Sequence, residues 1–180
     1  MRRAYYALIA ASCGAAAHPR ATCPSGDVAI RVQRDADALA GCRAVGSISI
    51  KTAAAIDLRP LGSIEQIDHD LVIGPTIAVS AIDGFGALRA VGGAIRVSAN
   101  AEVTGAYFPA LERAGSLAVD GNLSLADFVA PKLARVDGDV AIAHNGALQL
   151  LDLGALVVAG KIQLDDNRQL GDIHVPALHP

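Results

Sequence analysis

Leu111-Glu112-Arg113-Ala114-Gly115-Ser116-Leu117-Ala118-Val119-Asp120-Gly121-Asn122 decides the fold. A Leu-like residue is followed three positions later by a Val-like or small one. A glycine or acidic turn then leads into a short alternating apolar segment, and an asparagine stands three residues after its end. The order returns six times, with the last apolar residue at Ile50, Ile73, Val97, Val119, Ile142 and Leu164, at steps of 23, 24, 22, 23 and 22 residues. A fixed period in the low twenties signals a solenoid, in which each coil is too small to bury its own apolar face and relies on its neighbours.

Each phase of the repeat has its own chemistry. The Leu-like column is Cys42, Ile64, Leu88, Leu111, Leu133, Leu156 and Leu178, and the Val-like column is Val45, Ile67, Val91, Ala114, Val136 and Ala159. The segments that follow, Ile48-Ser49-Ile50 through Ile162-Gln163-Leu164, alternate with period two, as half-buried strands do. Stacked in parallel they form one sheet, at about 4.8 Å per coil and roughly 29 Å in all. A further apolar column, Ile56, Val79, Val103, Leu125, Leu148 and Leu170, adds another inward row. The core is aliphatic and narrow, in keeping with three Phe and no Trp in 180 residues.

Asn100, Asn122, Asn145 and Asn167 share one phase. Asparagine tolerates the left-handed conformation of a tight corner, and its amide can satisfy backbone groups there. The expectation is a ladder of asparagines bonded from coil to coil. Ala53 and Thr76 hold that phase in the first two coils, so the ladder should begin at the third.

The net charge of −3 and the absence of a basic stripe or aromatic platform argue against nucleic acid. No stretch reaches the roughly 20 apolar residues of a membrane span. The N-terminus reads as an export segment over residues 1–17, with basic Met1-Arg2-Arg3 and apolar Ala4 to Ala11, followed by a linker over 18–22. Two processing sites compete. Ala15-Ala16-Ala17 suits ordinary secretion, whereas Ala10-Ala11-Ser12-Cys13 has the form of a bacterial lipobox with Cys13 as the lipidated residue, and the reading leans to the lipoprotein. Either way Cys23 and Cys42 remain, and an oxidising compartment favours a disulfide between them over two free thiols. Closing that loop is worth roughly 3 kcal/mol in the chain-entropy model. The domain runs over 23–180, with a cap over 23–42 and coils over 43–180. Within the cap, residues 28–32 read as a strand and residues 35–41 as a helical turn, with Asp35 as its N-cap.

Cys23-Pro24-Ser25-Gly26-Asp27, the strand, Asp37-Ala38-Leu39 and then Cys42 to Ile50 resemble the opening of the receptor L-domain family. Phe108-Pro109-Ala110-Leu111 and the corner asparagines extend the similarity over about residues 23–178. It especially resembles the fungal cell-wall surface proteins and bacterial lipoproteins that carry such domains. The resemblance implies a mainly β, right-handed parallel β-solenoid, related in shape to leucine-rich repeats. That family includes ligand-binding lobes of growth-factor receptors, but no ligand-binding residue carries over. A seventh Leu-column residue, Leu178, has no seventh strand after it. Ile173 to Pro180 are therefore expected to cover the C-terminal end, unless the chain is part of a longer one.

Catalytic chemistry finds little support. Asp68-His69-Asp70 and Asp137-Gly138-Asp139 lie three coils apart and read as solvated turns, so no metal is expected. Asp120 and Asp165 share a phase two coils apart with Ala143 between them, and sugar chemistry would want nearby aromatic platforms as well. His144 stands at a corner with no nucleophile in phase. The outward row of the sheet is the candidate binding face, with Ser49, Arg96, Ser98, Asp120, Gln163 and Asp165 among its residues. The sequence thus predicts an exported envelope or cell-surface interaction module without catalytic activity or cofactor. Its partner would be a surface protein or a glycan, and any membrane contact would run through a lipid on Cys13. The alternative is a solenoid that binds or cleaves polysaccharide.

Overall fold

The computed structural model describes residues 23–175. Cys13, with the expected export segment and linker over 1–22, and Leu178 lie outside them. The chain winds into a parallel β-solenoid. Its first sheet stacks Asp27–Ile30, Ser47–Thr52, Leu71–Thr76, Ala90–Ser98, Arg113–Asp120, Val140–Ala143 and Ile162–Asp165 in sequence order, every pair parallel. The cap strand therefore supplies a seventh rung beneath the six that the repeat marks. Register follows the repeat: Val28, Ile48, Leu71, Ile95, Leu117, Val140 and Ile162 stand in one row. Ile30, Ile50, Ile73, Val97, Val119, Ile142 and Leu164 form the next inward row.

A second sheet, invisible to the strand pattern of the sequence, stacks Ala81–Ile82, Gly105–Tyr107, Asp127–Val129, Leu150–Asp152 and Asp172–His174 on another side of the coil. The Val-like column forms short bridges on the remaining side, such as Val45 with Ile67 and Val91 with Ala114. Inward rows from all sides meet in one aliphatic core. Phe85, Phe108 and Phe128 stack along it at 5.9 Å between successive ring centroids. Phe128 is two residues out of phase with the other two. In its coil Phe128 is followed by Ala130, whereas the coil before it has Ala106 followed by Phe108, all four fully buried. The large side chain changes place with the small one, and the coil's cross-section keeps its volume.

Within Ala90–Ser98 the register shifts between Val91 and Ala94, and glycine is required there. A Cβ on Gly92 would stand 2.2 Å from the Asp68 carbonyl oxygen of the preceding coil, so only glycine lets the chains approach that closely there.

The cap closes the N-terminal end. Cys23 and Cys42 form the expected disulfide, with Cα atoms 5.4 Å apart. The helix runs over Gln33–Asp37, two residues earlier than the sequence predicts, and Val32 occupies its N-cap. Asp35 is thus not the N-cap. It stands at the third helical position, and its Oδ2 accepts the backbone N–H groups of Arg31 and Val32. That carboxylate still satisfies donors at the helix start, and these bonds hold its pKa below the usual value. Ile30, Ala36 and Leu39 are fully or almost fully buried, so this end of the core is sealed.

Candidate binding face

The asparagine ladder fixes one edge of the first sheet and so decides what stands on its face. Asn122 is fully buried. Its Nδ2 donates to the Val97 carbonyl at 2.9 Å and to Asn145 Oδ1 at 2.9 Å. Its Oδ1 accepts from Asn100 Nδ2 at 2.8 Å and from the Asn100 backbone N–H at 3.2 Å. Asn145 and Asn167 repeat the scheme, with Asn167 Nδ2 on the Ile142 carbonyl at 2.7 Å. Thr76 joins one coil early, its hydroxyl donating to Asn100 Oδ1 at 2.7 Å. In the first coil the place falls to Thr52, which pairs with Thr76 across a register shift, and not to Ala53, which is exposed. The cause is one residue fewer between Ile50 and the corner than in the later coils.

Immediately before each ladder asparagine the backbone turns left-handed, at Ala99 (φ 55°), Gly121 (φ 64°), His144 (φ 54°) and Asp166 (φ 49°). In the strands before it, side chains alternate between the core and the outer face. One outward row of the face is Ala29, Ser49, Val72, Arg96, Ala118, Ala141 and Gln163. Beside it run Ser98, Asp120, Ala143 and Asp165, again in register. Small side chains dominate the two rows. All six face residues picked from the sequence therefore lie on one side of the sheet, in two adjacent rows.

The geometry adds a cluster at the C-terminal half of that face. His144 Nδ1 lies 2.8 Å from Asp120 Oδ1, and its Nε2 lies 3.6 Å from Asp166 Oδ2. The hydrogen bond to Asp120, with the charges of Asp120, Asp166 and Asp165 behind it, raises the His144 pKa. One imidazole thus ties three successive coils together. Its chemistry is restricted, because Ser98 and His144 lie on opposite sides of Asp120 in the stack. The imidazole does not reach the hydroxyl, and a base that cannot reach its nucleophile does not activate it. Asp120 and Asp165 flank Ala143, as the sequence indicates, at two rung spacings or about 9.6 Å.

The acidic turns do more than the solvated role predicted for them. Asp70 Oδ1 accepts the Ala94 N–H at 2.8 Å, and its Oδ2 pairs with Arg96 at 2.8 Å. The Ala94 bond, then Arg96, pulls its pKa down. Asp139 does the same structural work three coils on, accepting the Lys161 N–H at 2.8 Å. Both are staples between coils. Among the described residues, no group of three or more His, Cys, Asp or Glu side chains is placed to hold a metal ion.

Another side of the solenoid carries a feature that the column reading missed. The residues just after the Leu-like column, Arg43, Glu65, Arg89 and Glu112, alternate in charge up the stack. Arg43 pairs with Glu65 at 3.4 Å and Arg89 with Glu112 at 2.8 Å, along a shallow groove of about 380 Å³. The signal was the alternation of sign at constant phase, which an apolar search passes over.

No family model matches the chain, and neither a curated protein nor a solved structure does.

Proposed function

We propose that the chain is an exported cell-envelope or cell-surface module, of the receptor L-domain kind, that holds a partner on the outer face of its first sheet and catalyses no reaction. The observation that carries this reading is the face itself, one in-register outward row of mostly small side chains across seven rungs, roughly 29 Å long, with a second row beside it over the last four. A surface that long, lined mostly by small side chains, suits an extended partner, a surface protein or a glycan strand. The exposed acidic and basic groups along it, Arg96, Asp120 and Asp165, provide polar anchoring points. Tethering would come from a lipid on Cys13, or the domain would be released as a soluble secreted one.

Calorimetric titration of the purified protein with defined cell-wall glycans and envelope proteins tests this. Saturable binding without reducing-end release is expected, and combined Ser49→Arg and Ala118→Arg substitution should abolish it while leaving the far-UV spectrum unchanged. The pair Asp120 and Asp165, with His144 on Asp120, favours one second reading, a solenoid that cleaves polysaccharide. Glycan turnover that disappears in Asp120→Asn or Asp165→Asn would establish it in place of the first. Intact mass from a secreting host addresses the tether: a chain beginning at Cys13 with acyl groups means a lipoprotein, and one beginning near His18 means free export.

A further inference from the structure

The two ends of the solenoid differ. The N-terminal end is sealed by the Gln33–Asp37 helix and the disulfide, with Ile30, Ala36 and Leu39 buried beneath. At the other end Val157 is 64% exposed, Val158 39%, Leu164 38% and Ile173 47%. Of the segment Ile173 to Pro180 that was expected to cover this end, Ile173 is exposed, and residues 176–180 lie outside the described residues. The last rung of the first sheet, Ile162–Asp165, pairs with Val140–Ala143 on one edge, and no described strand pairs with its other edge. An open strand edge beside exposed apolar residues is a template for another chain.

The sequence of that edge is self-complementary. Lys161-Ile162-Gln163-Leu164-Asp165 reads the same in character from either direction about Gln163, except that its charges have opposite sign. In an antiparallel pair centred on Gln163, each Lys161 stands across from the Asp165 of the other copy. Each Ile162 stands across from the other copy's Leu164, and both belong to inward rows. Among the described residues, no ion pair within the chain engages Lys161 or Asp165. A two-fold axis normal to the sheet also exchanges its flanks, so the side carrying Ile173 in one copy meets the side carrying Val157 and Val158 in the other. The geometry points to an isologous dimer of this chain, joined end to end through Ile162–Asp165 so that the first sheet continues from one copy into the next.

The rival occupant is the N-terminal end of another copy. Parallel stacking in the existing register would put Lys161 across from Asp27 and Asp165 across from Arg31, which also pairs opposite charges. It would, however, lay an apolar end against a sealed one, and it would not close.

Sedimentation velocity of the full chain over a wide concentration range, combined with amide exchange at residues 162–165, tests the proposal. A dimer is expected, with slower exchange at those amides as concentration rises. Lys161→Asp and Asp165→Lys should each raise the dissociation constant about tenfold, since each sets two like-charge pairs across the junction. The double variant should return to within about threefold of the parent. A double variant as weak as the single ones, or open-ended polymers, would mean head-to-tail stacking and overturn the dimer. A monomer at all concentrations whose 162–165 amides are nonetheless protected would mean that the chain covers its own end. A dimer indifferent to both single charge reversals would place the contact elsewhere. The exchange measurement uses the unaltered chain and holds even if a variant folds poorly.

Discussion

Asn122 shows how much one side chain can hold in a solenoid. It satisfies a carbonyl of the coil before it, bonds the asparagines on both sides and accepts a backbone N–H. Replacing it with leucine keeps the volume and strands the Val97 carbonyl and the Asn100 N–H inside the core. Asn122→Leu should therefore destabilise by roughly 1–3 kcal/mol for each stranded group in urea denaturation, and Asn167→Leu, at the half-buried end of the ladder, by clearly less. Equal and small losses at both positions would remove the ladder from the list of stabilising features. His144 makes the second residue-scale prediction. Its folded pKa is raised above the unfolded 6.5, so its contribution is complete below that value and disappears as pH climbs through the folded pKa. The melting temperature of the parent relative to His144→Gln should thus fall as pH rises from about 6 to 8. A difference that stays constant over this range would show that the imidazole carries no linked proton. The ladder was legible in the sequence because four identical residues recur at one phase. The imidazole's partners were not, because Asp120 sits one phase position before His144 and Asp166, and the three meet only through the left-handed turn that His144 and Asp166 occupy.

At the scale of the element, the second sheet and its aromatic stack carry the packing lesson. A search at constant phase places Phe85 and Phe108 in one column and then finds Ala130, which looks like a hole. The coil fills it from two residues upstream with Phe128, whose ring lies 5.9 Å from that of Phe108. Phe128→Ala should cost about 3–5 kcal/mol, the usual range for emptying a buried aromatic site. Combining it with Ala130→Phe recreates the arrangement of the preceding coil and should recover at least half of that loss. If the double variant is no more stable than Phe128→Ala alone, the two positions do not exchange volume and the packing argument fails. The cap strand shows the same limit of sequence reading. Residues 28–32 read as a strand from the sequence and the strand forms over Asp27–Ile30, but its place as the first rung depends on pairing with Ser47–Thr52.

For the whole molecule, stability should depend on position along the stack, because each coil is held by its two neighbours. Leu117 and Leu164 are both inward leucines of first-sheet strands, in adjacent rows of the repeat. Leu117 is buried between complete coils, whereas Leu164 stands open at the end. Leu117→Ala should cost about 2–5 kcal/mol and Leu164→Ala under about 1 kcal/mol at concentrations where the chain is monomeric, read from chemical denaturation. Comparable losses would mean that something covers the last coil even in the monomer.

The sequence by itself determined the period, the inward rows, the corner asparagines, the Cys23–Cys42 bridge and the six residues placed on the outer face. Apart from the bridge, which cysteine parity indicates, those features repeat at a constant phase, and stacking turns equal phase into spatial adjacency, so the sequence carries the neighbour relations directly. Tertiary structure alone decided what depends on how a coil closes: the second sheet, the exchange of Phe128 with Ala130, Thr52 in place of Ala53, the linking of three coils by His144 and the contrast between a sealed and an open end. These arise from contacts between different phases, and their distances are set by the path of the backbone around each corner.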